Sequence, residues 1–424
     1  MTSTTIAGIR GRRVWDSRGR PTVEAEIRLD GGATGRAIAP AGASTGSGEA
    51  LDRRDGGAAF GGHDVQGAVA AVNGDIARAL IGFDAADQAG LDRMLIDLDG
   101  TPDKSRLGGN ATLAVSMAAA HATASAAGLP LWRHLGGDAA TLLPLPEIQI
   151  FGGGAHAGRR LDLQDFMLVC PGAGSFAEAL DWTAEVYRAA GSLMADAGKL
   201  YGVADEGGFW PDFADAAEAL DMLVRAIERA GRRPGEEVAI ALDVAASEFG
   251  RHGRYRFEGR DLDTGQMVEL VAGWTRRWPI VSVEDPVAED DAAGFRAITA
   301  AIGDRVQVVG DDFLVTDAAR VRDAAVAQAC TTVLIKPNQR GTLTEAKAAW
   351  DAAREAGLGG IVSARSGESE DTTIVDLVVG WGVGQLKVGS FARSERMAKW
   401  NAALRIEEAL GGRAVFAGRS VLRG

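Results

Sequence analysis

Residues 279–286 read PIVSVEDP, an apolar β-branched run that ends abruptly in two acids and a proline. The pattern returns as VQVVGDD at 306–312, TTVLIKP at 331–337, GGIVSAR at 359–365 and QLKVGS at 385–390, and it is preceded by EVAIALDVA at 237–245. The special residues at or near these run ends, Asp243, Glu284, Asp311, Lys336, Ala364 and Lys387, are spaced mostly by roughly 25 residues, about one strand, one helix and their loops. Continuous apolar runs belong to strands buried on both faces, which implies parallel pairing beneath a helical layer. A closed α/β barrel follows, with its active site at the carboxyl ends of the strands, where these polar residues fall. An open doubly wound sheet is the rival, but neither GxGxxG nor GxxxxGK[ST] is present to support it.

The stretch before the barrel pattern reads differently. TVEAEIRLD at 22–30 alternates as a strand, turns at Asp30-Gly31-Gly32 and resumes through TGRAIAP, which predicts a hairpin. VQGAVAAVNGDIARAL at 65–80 and the alanine-rich NATLAVSMAAAHATASAAG at 110–128 carry helical spacing, and the alanines predict close helix packing. Gly-Gly-Asp at 136–138 and the proline-bearing LLPLPE at 142–147 interrupt regular structure. We therefore expect an N-terminal α+β capping domain over residues 1–137 and a catalytic barrel over residues 138–424.

Composition narrows the function. A formal net charge of -13 repels polyphosphate backbones and anionic lipid, which argues against nucleic-acid and membrane partners. Only Cys170 and Cys330 occur, far apart, which excludes a disulfide scaffold and suits a reducing compartment. MTSTTIAGIRGRRVWDS contains no apolar stretch of signal-peptide length, so a cytoplasmic location is expected.

In a closed barrel the carboxylates of Asp243, Glu284 and Asp311 converge. Three converging anions call for a hard divalent cation, and oxygen donors with remaining water positions suit Mg²⁺. The bland alternative is that each acid caps a following helix or loop. Lys336 and Lys387 face these acids, and desolvation among other charges is expected to lower a lysine's pKa toward that of a base. Arg365 and Ser366 offer bidentate and hydroxyl contacts to a phosphate or carboxylate. VADEGGFWP at 203–211 presents Glu206 beside paired glycines that permit a tight turn. GGGAHAGRR at 152–160, with His156, and PAGASTGSGEA at 40–50, with Ser44 and Thr45, read as lid loops that exclude water.

Taken together, DSRGRPTVE, AGASTG, DEGGF, LDVAASEF, VEDP, VGDD, NQRGTLTEA, RSGESEDT and RSERMAKWN stand in the order and spacing of the enolase family, which the chain resembles over essentially its full length. The resemblance implies an N-terminal α+β domain followed by a modified eightfold, enolase-type α/β barrel, two bound Mg²⁺ ions and a homo-oligomer. It also implies dehydration of 2-phosphoglycerate to phosphoenolpyruvate. Carried over to this chain, Asp243, Glu284 and Asp311 hold the first metal and Ser44 the second. Lys336 removes the C2 proton, Glu206 assists loss of the C3 hydroxide, and Asp165 joins them as a catalytic acid. Lys387 grips the substrate carboxylate, Arg365 and Ser366 the phosphate, and His156 and Gln164 line the substrate pocket. The pairing of a lysine base with Mg²⁺ is the superfamily's own pattern rather than a product of spacing.

The departures cluster. Enolases carry His where this chain has Ala364, Glu where it has Asp165, and Asn-Gly-Gly-Glu-His where it has Gly152-Gly153-Gly154-Ala155-His156. A family serine is Ala41 here, and Val388 and Phe391 also differ. Most of these changes remove volume or reach near the lid and the leaving group while the metal acids and the base are intact. The expectation is α-proton abstraction in a widened pocket, from 2-phosphoglycerate or a phosphorylated or phosphonylated relative. The carboxyphosphonoenolpyruvate synthases of phosphonate antibiotic pathways resemble that description. A noncatalytic enolase-like binding protein is the alternative of another class, but a pure scaffold has no need of clustered charges. A racemase or sugar-acid dehydratase fits the RSGESED and AGASTG segments poorly.

Overall fold

The computed structural model of the 424-residue chain describes residues 3–43 and 45–423. Its N-terminal part is an antiparallel meander of β1 (Ile6–Trp15), β2 (Pro21–Leu29) and β3 (Thr34–Ile38), joined in the order β1-β2-β3. The hairpin expected at Asp30–Gly32 is the β2–β3 turn, with Leu29 N–H donating to Ala33 O at 2.9 Å. Helix α1 (Gly109–Ala126) lies across β2 and β3, almost entirely buried. Its alanines, Ala111, Ala114, Ala118, Ala119 and Ala122, leave so little side chain that the helix can approach the sheet closely.

The remainder is a closed eight-stranded barrel. Its strands are β4 (Leu145–Gly152), β5 (Asp165–Val169), β6 (Ala239–Asp243), β7 (Ile280–Glu284), β8 (Gln307–Gly310), β9 (Thr332–Ile335), β10 (Gly359–Ser363) and β11 (Gln385–Ser390). Helices α2 (Phe176–Asp196) and α3 (Ala216–Arg229) separate β5 from β6. From β6 onward strand and helix alternate, through α4 (Thr264–Arg277), α5 (Ala292–Ile302), α6 (Ala318–Val326), α7 (Leu343–Glu355) and α8 (Thr373–Gly380), and the barrel is completed by β11 and α9 (Ser394–Leu410). The principal core is the shell between strands and helices, where inner helix faces such as Leu220, Leu223 and Ile227 of α3 are buried. Among the described residues no helix is long and apolar enough to cross a membrane.

The helices start where short polar side chains take up otherwise unpaired N–H groups. Ser175, Asp215, Asp263, Asp291, Asp317 and Thr342 each accept a backbone hydrogen bond from the first turn of α2 to α7 in order. None of these helix caps is Asp243, Glu284 or Asp311, although Asp243 Oδ1 does accept from Ala245 N–H at 3.0 Å in the loop that follows its strand.

One strand departs from the parallel pattern expected from the apolar runs. β5 pairs antiparallel with both β4 and β6. The cause is connectivity: the segment 153–164 returns directly from β4 with no crossover helix, and such a link can only make a hairpin. The reversal carries the first residue of β5 to the rim where the other strands end. Asp165 is thus in register with Asp243, and Asp243 with Glu284, three acids abreast on adjacent strands.

Candidate active site

The row Asp165–Asp243–Glu284 faces Lys387, which points from β11. Lys387 Nζ lies 2.8 Å from Asp243 Oδ2, 2.8 Å from Glu284 Oε2 and 3.7 Å from Asp165 Oδ2. Next along the rim, the Lys336 ammonium hydrogen-bonds Asp311 Oδ2, and Gln339 Nε2 donates to Asp311 Oδ1 at 2.9 Å. Gln164 Nε2 donates to Asp243 Oδ2 at 3.1 Å. All of these groups are buried.

His156, Gln164, Asp165, Glu206, Asp243, Lys336, Arg365, Ser366 and Lys387 line a single small cavity of about 20 Å³, together with Ala43, Ser363, Ala364 and Val388. Glu284 and Asp311 stand behind the two lysines. Ser44, the expected ligand of a second metal, lies outside the described residues. The three carboxylates of the expected metal triad are on neighbouring segments, but each is paired with an ammonium, Asp243 and Glu284 with Lys387 and Asp311 with Lys336. Among the described residues, the groups of three whose ligand atoms approach one another within 4.8 Å are instead His156, Asp165 and Glu206, and Asp285, Asp311 and Asp312.

The charges respond to one another. Burial opposes the ammonium form of Lys387, but Asp243 and Glu284 outweigh it and hold the lysine charged. Burial and the adjacent Asp243 push Glu284 well above the usual carboxylate range, because one lysine cannot match two carboxylates. Glu284 Oε1 is buried with no hydrogen-bond partner among the described residues. An excess of hard oxygen donors with one orphaned oxygen fits a divalent cation such as Mg²⁺. At Lys336 the expected lowering is not met. Burial works in that direction, yet Asp311 alongside prevails and raises the lysine. For Asp311 burial acts upward, and the Lys336 ammonium carries it below its usual value.

Opposite the lysines, His156 bridges two acids, with Nδ1 3.2 Å from Asp165 Oδ1 and Nε2 3.8 Å from Glu206 Oε1. Burial disfavours the imidazolium, but Glu206 and Asp165 raise His156 to about 9. Asp165 is held at about 2: burial opposes ionisation, and His156, Lys387 and Gln149 overcome it. Glu206 reaches the cavity from a tight turn in which Gly207 has φ +95°, and Ser390 N–H donates to Glu206 O at 3.0 Å.

At the end of β10, the Arg365 guanidinium pairs with Glu49 of the loop 40–50, Nη1 to Oε2 3.0 Å. Arg18 Nη1 donates to Ser366 Oγ at 3.4 Å, and Arg18 Nη2 to Ala41 O at 3.0 Å. Ala364 places only a methyl group at the cavity wall, while its N–H donates to Lys387 O at 2.8 Å. Glu49, Arg18, Gln149 and Gln339 escape the sequence reading because nothing in their local spacing marks them. Arg18, Glu49 and Gln339 sit inside quoted stretches, DSRGRPTVE, PAGASTGSGEA and NQRGTLTEA, but no feature of those stretches singles them out.

This arrangement can bind a small polyanion, neutralise a developing negative charge and move a proton at a lysine or a carboxylate. Residues 6–135 match the enolase N-terminal domain, and residues 140–424 match the enolase C-terminal TIM barrel domain. With both halves of its length accounted for in this way, the chain belongs to the enolase family.

Proposed function

We propose that the protein is a Mg²⁺-dependent enolase-type lyase that removes the C2 proton of 2-phosphoglycerate, or of a close phosphorylated or phosphonylated analogue, in a pocket altered around the leaving group. The observation that carries this reading is the shared cavity, whose wall combines Lys336, Lys387, Arg365 and Ser366 with Glu206, Asp165 and His156. Cationic groups suit a substrate bearing both carboxylate and phosphate, and the acids suit proton transfer to a departing oxygen.

Asp243, Glu284 and Asp311 would hold the cation, with Ser44 added for a second. The chemistry a cation supplies when bound there is charge, offsetting the second negative charge that a carboxylate gains when its α-proton leaves. Lys336 is the candidate base for that proton at Nζ, and it must first shed the proton that its contact with Asp311 helps it hold. Lys387 orients the substrate carboxylate, Arg365 and Ser366 the phosphate, and Gln164 the pocket wall. Glu206 assists departure of the hydroxyl, and Asp165, held ionised at about 2, orients the His156 imidazolium that stands between the two acids.

Ala364 and Asp165, each shorter than the residue enolases carry there, support a second reading, carboxyphosphonoenolpyruvate synthase chemistry on a larger group. Two buried thiols, Cys170 and Cys330, suit a cytoplasmic setting, and family resemblance favours a homo-oligomer. The test is phosphorus NMR of the purified protein with Mg²⁺, first with 2-phosphoglycerate and then with activated phosphonoformate added. Ordinary enolase turnover of 2-phosphoglycerate would remove the altered-pocket element. No turnover together with no Mg²⁺ binding by calorimetry would favour a noncatalytic binding protein.

A further inference from the structure

Two cations of α9, Arg396 and Lys399, are fully buried and take no part in the chemistry above. Arg396 Nη1 donates to the carbonyl oxygens of Arg365 at 2.6 Å and Val388 at 2.8 Å, and Nη2 donates to the carbonyl of Ser366. Lys399 Nζ donates to Ser369 O at 2.6 Å and lies 2.8 Å from Glu368 Oε2. Glu368 Oε1 in turn accepts from Arg365 N–H at 3.0 Å. The segment 365–369 therefore hangs from one helix through two buried charges.

A buried guanidinium is expensive unless its donors are used. Here the nearest acid oxygens are not bidentate partners: Glu395 Oε1 lies 3.5 Å from Nε and Glu206 Oε1 3.9 Å from Nη1. The fork is spent on main-chain carbonyls from two different strand ends, the one after β10 and the one within β11. Gly389 makes the passage possible, since a Cβ there, at φ +116°, would lie 3.0 Å from Arg396 Cδ and 3.1 Å from Glu206 Cβ. A planar five-donor group fixes the relative position of two backbones, and a lysine, with a single nitrogen, cannot span them in the same way.

We propose that Arg396 is a positioning residue that locks Arg365 and Ser366 against Lys387 and thereby sets the affinity of the site for a phosphate or phosphonate dianion. This rests on the reading of those three residues as the anion-binding corner. Misplacing such a corner by a fraction of an ångström weakens every hydrogen bond it makes at once.

The experiment compares wild type, Arg396→Lys and Arg396→Met for folding, Mg²⁺ affinity and inorganic phosphate affinity by calorimetry, with KM and kcat on whichever substrate turns over. Arg396→Lys is expected to fold, to keep its Mg²⁺ affinity and to bind phosphate about tenfold or more weakly, with KM rising more than kcat falls. Wild-type phosphate affinity in folded Arg396→Lys would overturn the proposal, as would failure of both variants to fold, which would make the role structural only. A wild-type protein that binds Mg²⁺ but no phosphate would overturn the anion reading beneath it.

Discussion

The Lys387 ammonium lies 2.8 Å from Glu284 Oε2, on an acid whose other oxygen is buried without a hydrogen-bond partner among the described residues. The lysine thus neutralises part of a site that has more negative charge than one ammonium can match.

Replacing Lys387 by methionine should therefore strand Asp243 and Glu284 side by side. We expect Lys387→Met to lose roughly 3–5 kcal/mol of stability in EDTA, the range for removing one partner of a buried pair. Mg²⁺ should recover much of that loss. Thermal unfolding with EDTA and with Mg²⁺ checks this, and an equal loss in both would refute cation binding by these acids.

Ala364→His adds an imidazole to the cavity wall beside Lys387. The variant is expected to lose turnover of any substrate larger than 2-phosphoglycerate while leaving 2-phosphoglycerate turnover unchanged or improved. Product formation by phosphorus NMR decides it; a gain on the larger substrate would contradict a widened pocket.

Asp376 gives a pH signature far from the chemistry. Burial raises its carboxyl from 3.8 to about 7, although Trp132 N–H donates to it at 3.1 Å. The folded state thus holds a proton that the unfolded chain releases, so stability is greatest at low pH in this window and falls as pH rises from 3.8 to about 7. Asp376→Asn keeps an acceptor for Trp132 and abolishes the titration. The Tm difference between variant and wild type should grow across the window and level off above it; a constant difference would mean that Asp376 titrates normally.

Gly389→Ala puts a methyl group between Arg396 and Glu206 at a backbone angle that L residues rarely adopt. A loss of about 1–3 kcal/mol in stability is expected, with activity falling further than stability alone explains. Denaturant unfolding and initial rates on the same preparation test both halves.

Much of the barrel was legible because each buried strand announces itself as a short β-branched run with a charged or special residue at or near its end. Asp243, Glu284, Asp311, Lys336 and Lys387 were found in this way, by counting strand ends. β5 was not, because DFMLV is as apolar as its parallel neighbours and strand direction is set by the loop before it. The hairpin 22–40 was readable from Asp30-Gly31-Gly32 and its alternation. Glu49 and Arg396 were invisible as site components, since their partners, Arg365 and the carbonyls of 365, 366 and 388, are assembled only when distant segments meet. The raised Lys336 was misjudged for the same reason: desolvation is legible in an apolar run, but the contact with Asp311 is not.

The reversed strand has a consequence for how such a protein can diversify. Because β4 and β5 meet in a hairpin at the mouth, its exposed tip, residues 158–160, can change without touching any crossover helix. Asp165 and His156 stand at or within that hairpin, whereas Lys336 and Lys387 are rooted in the parallel wall, so the two sectors of the cavity can vary independently.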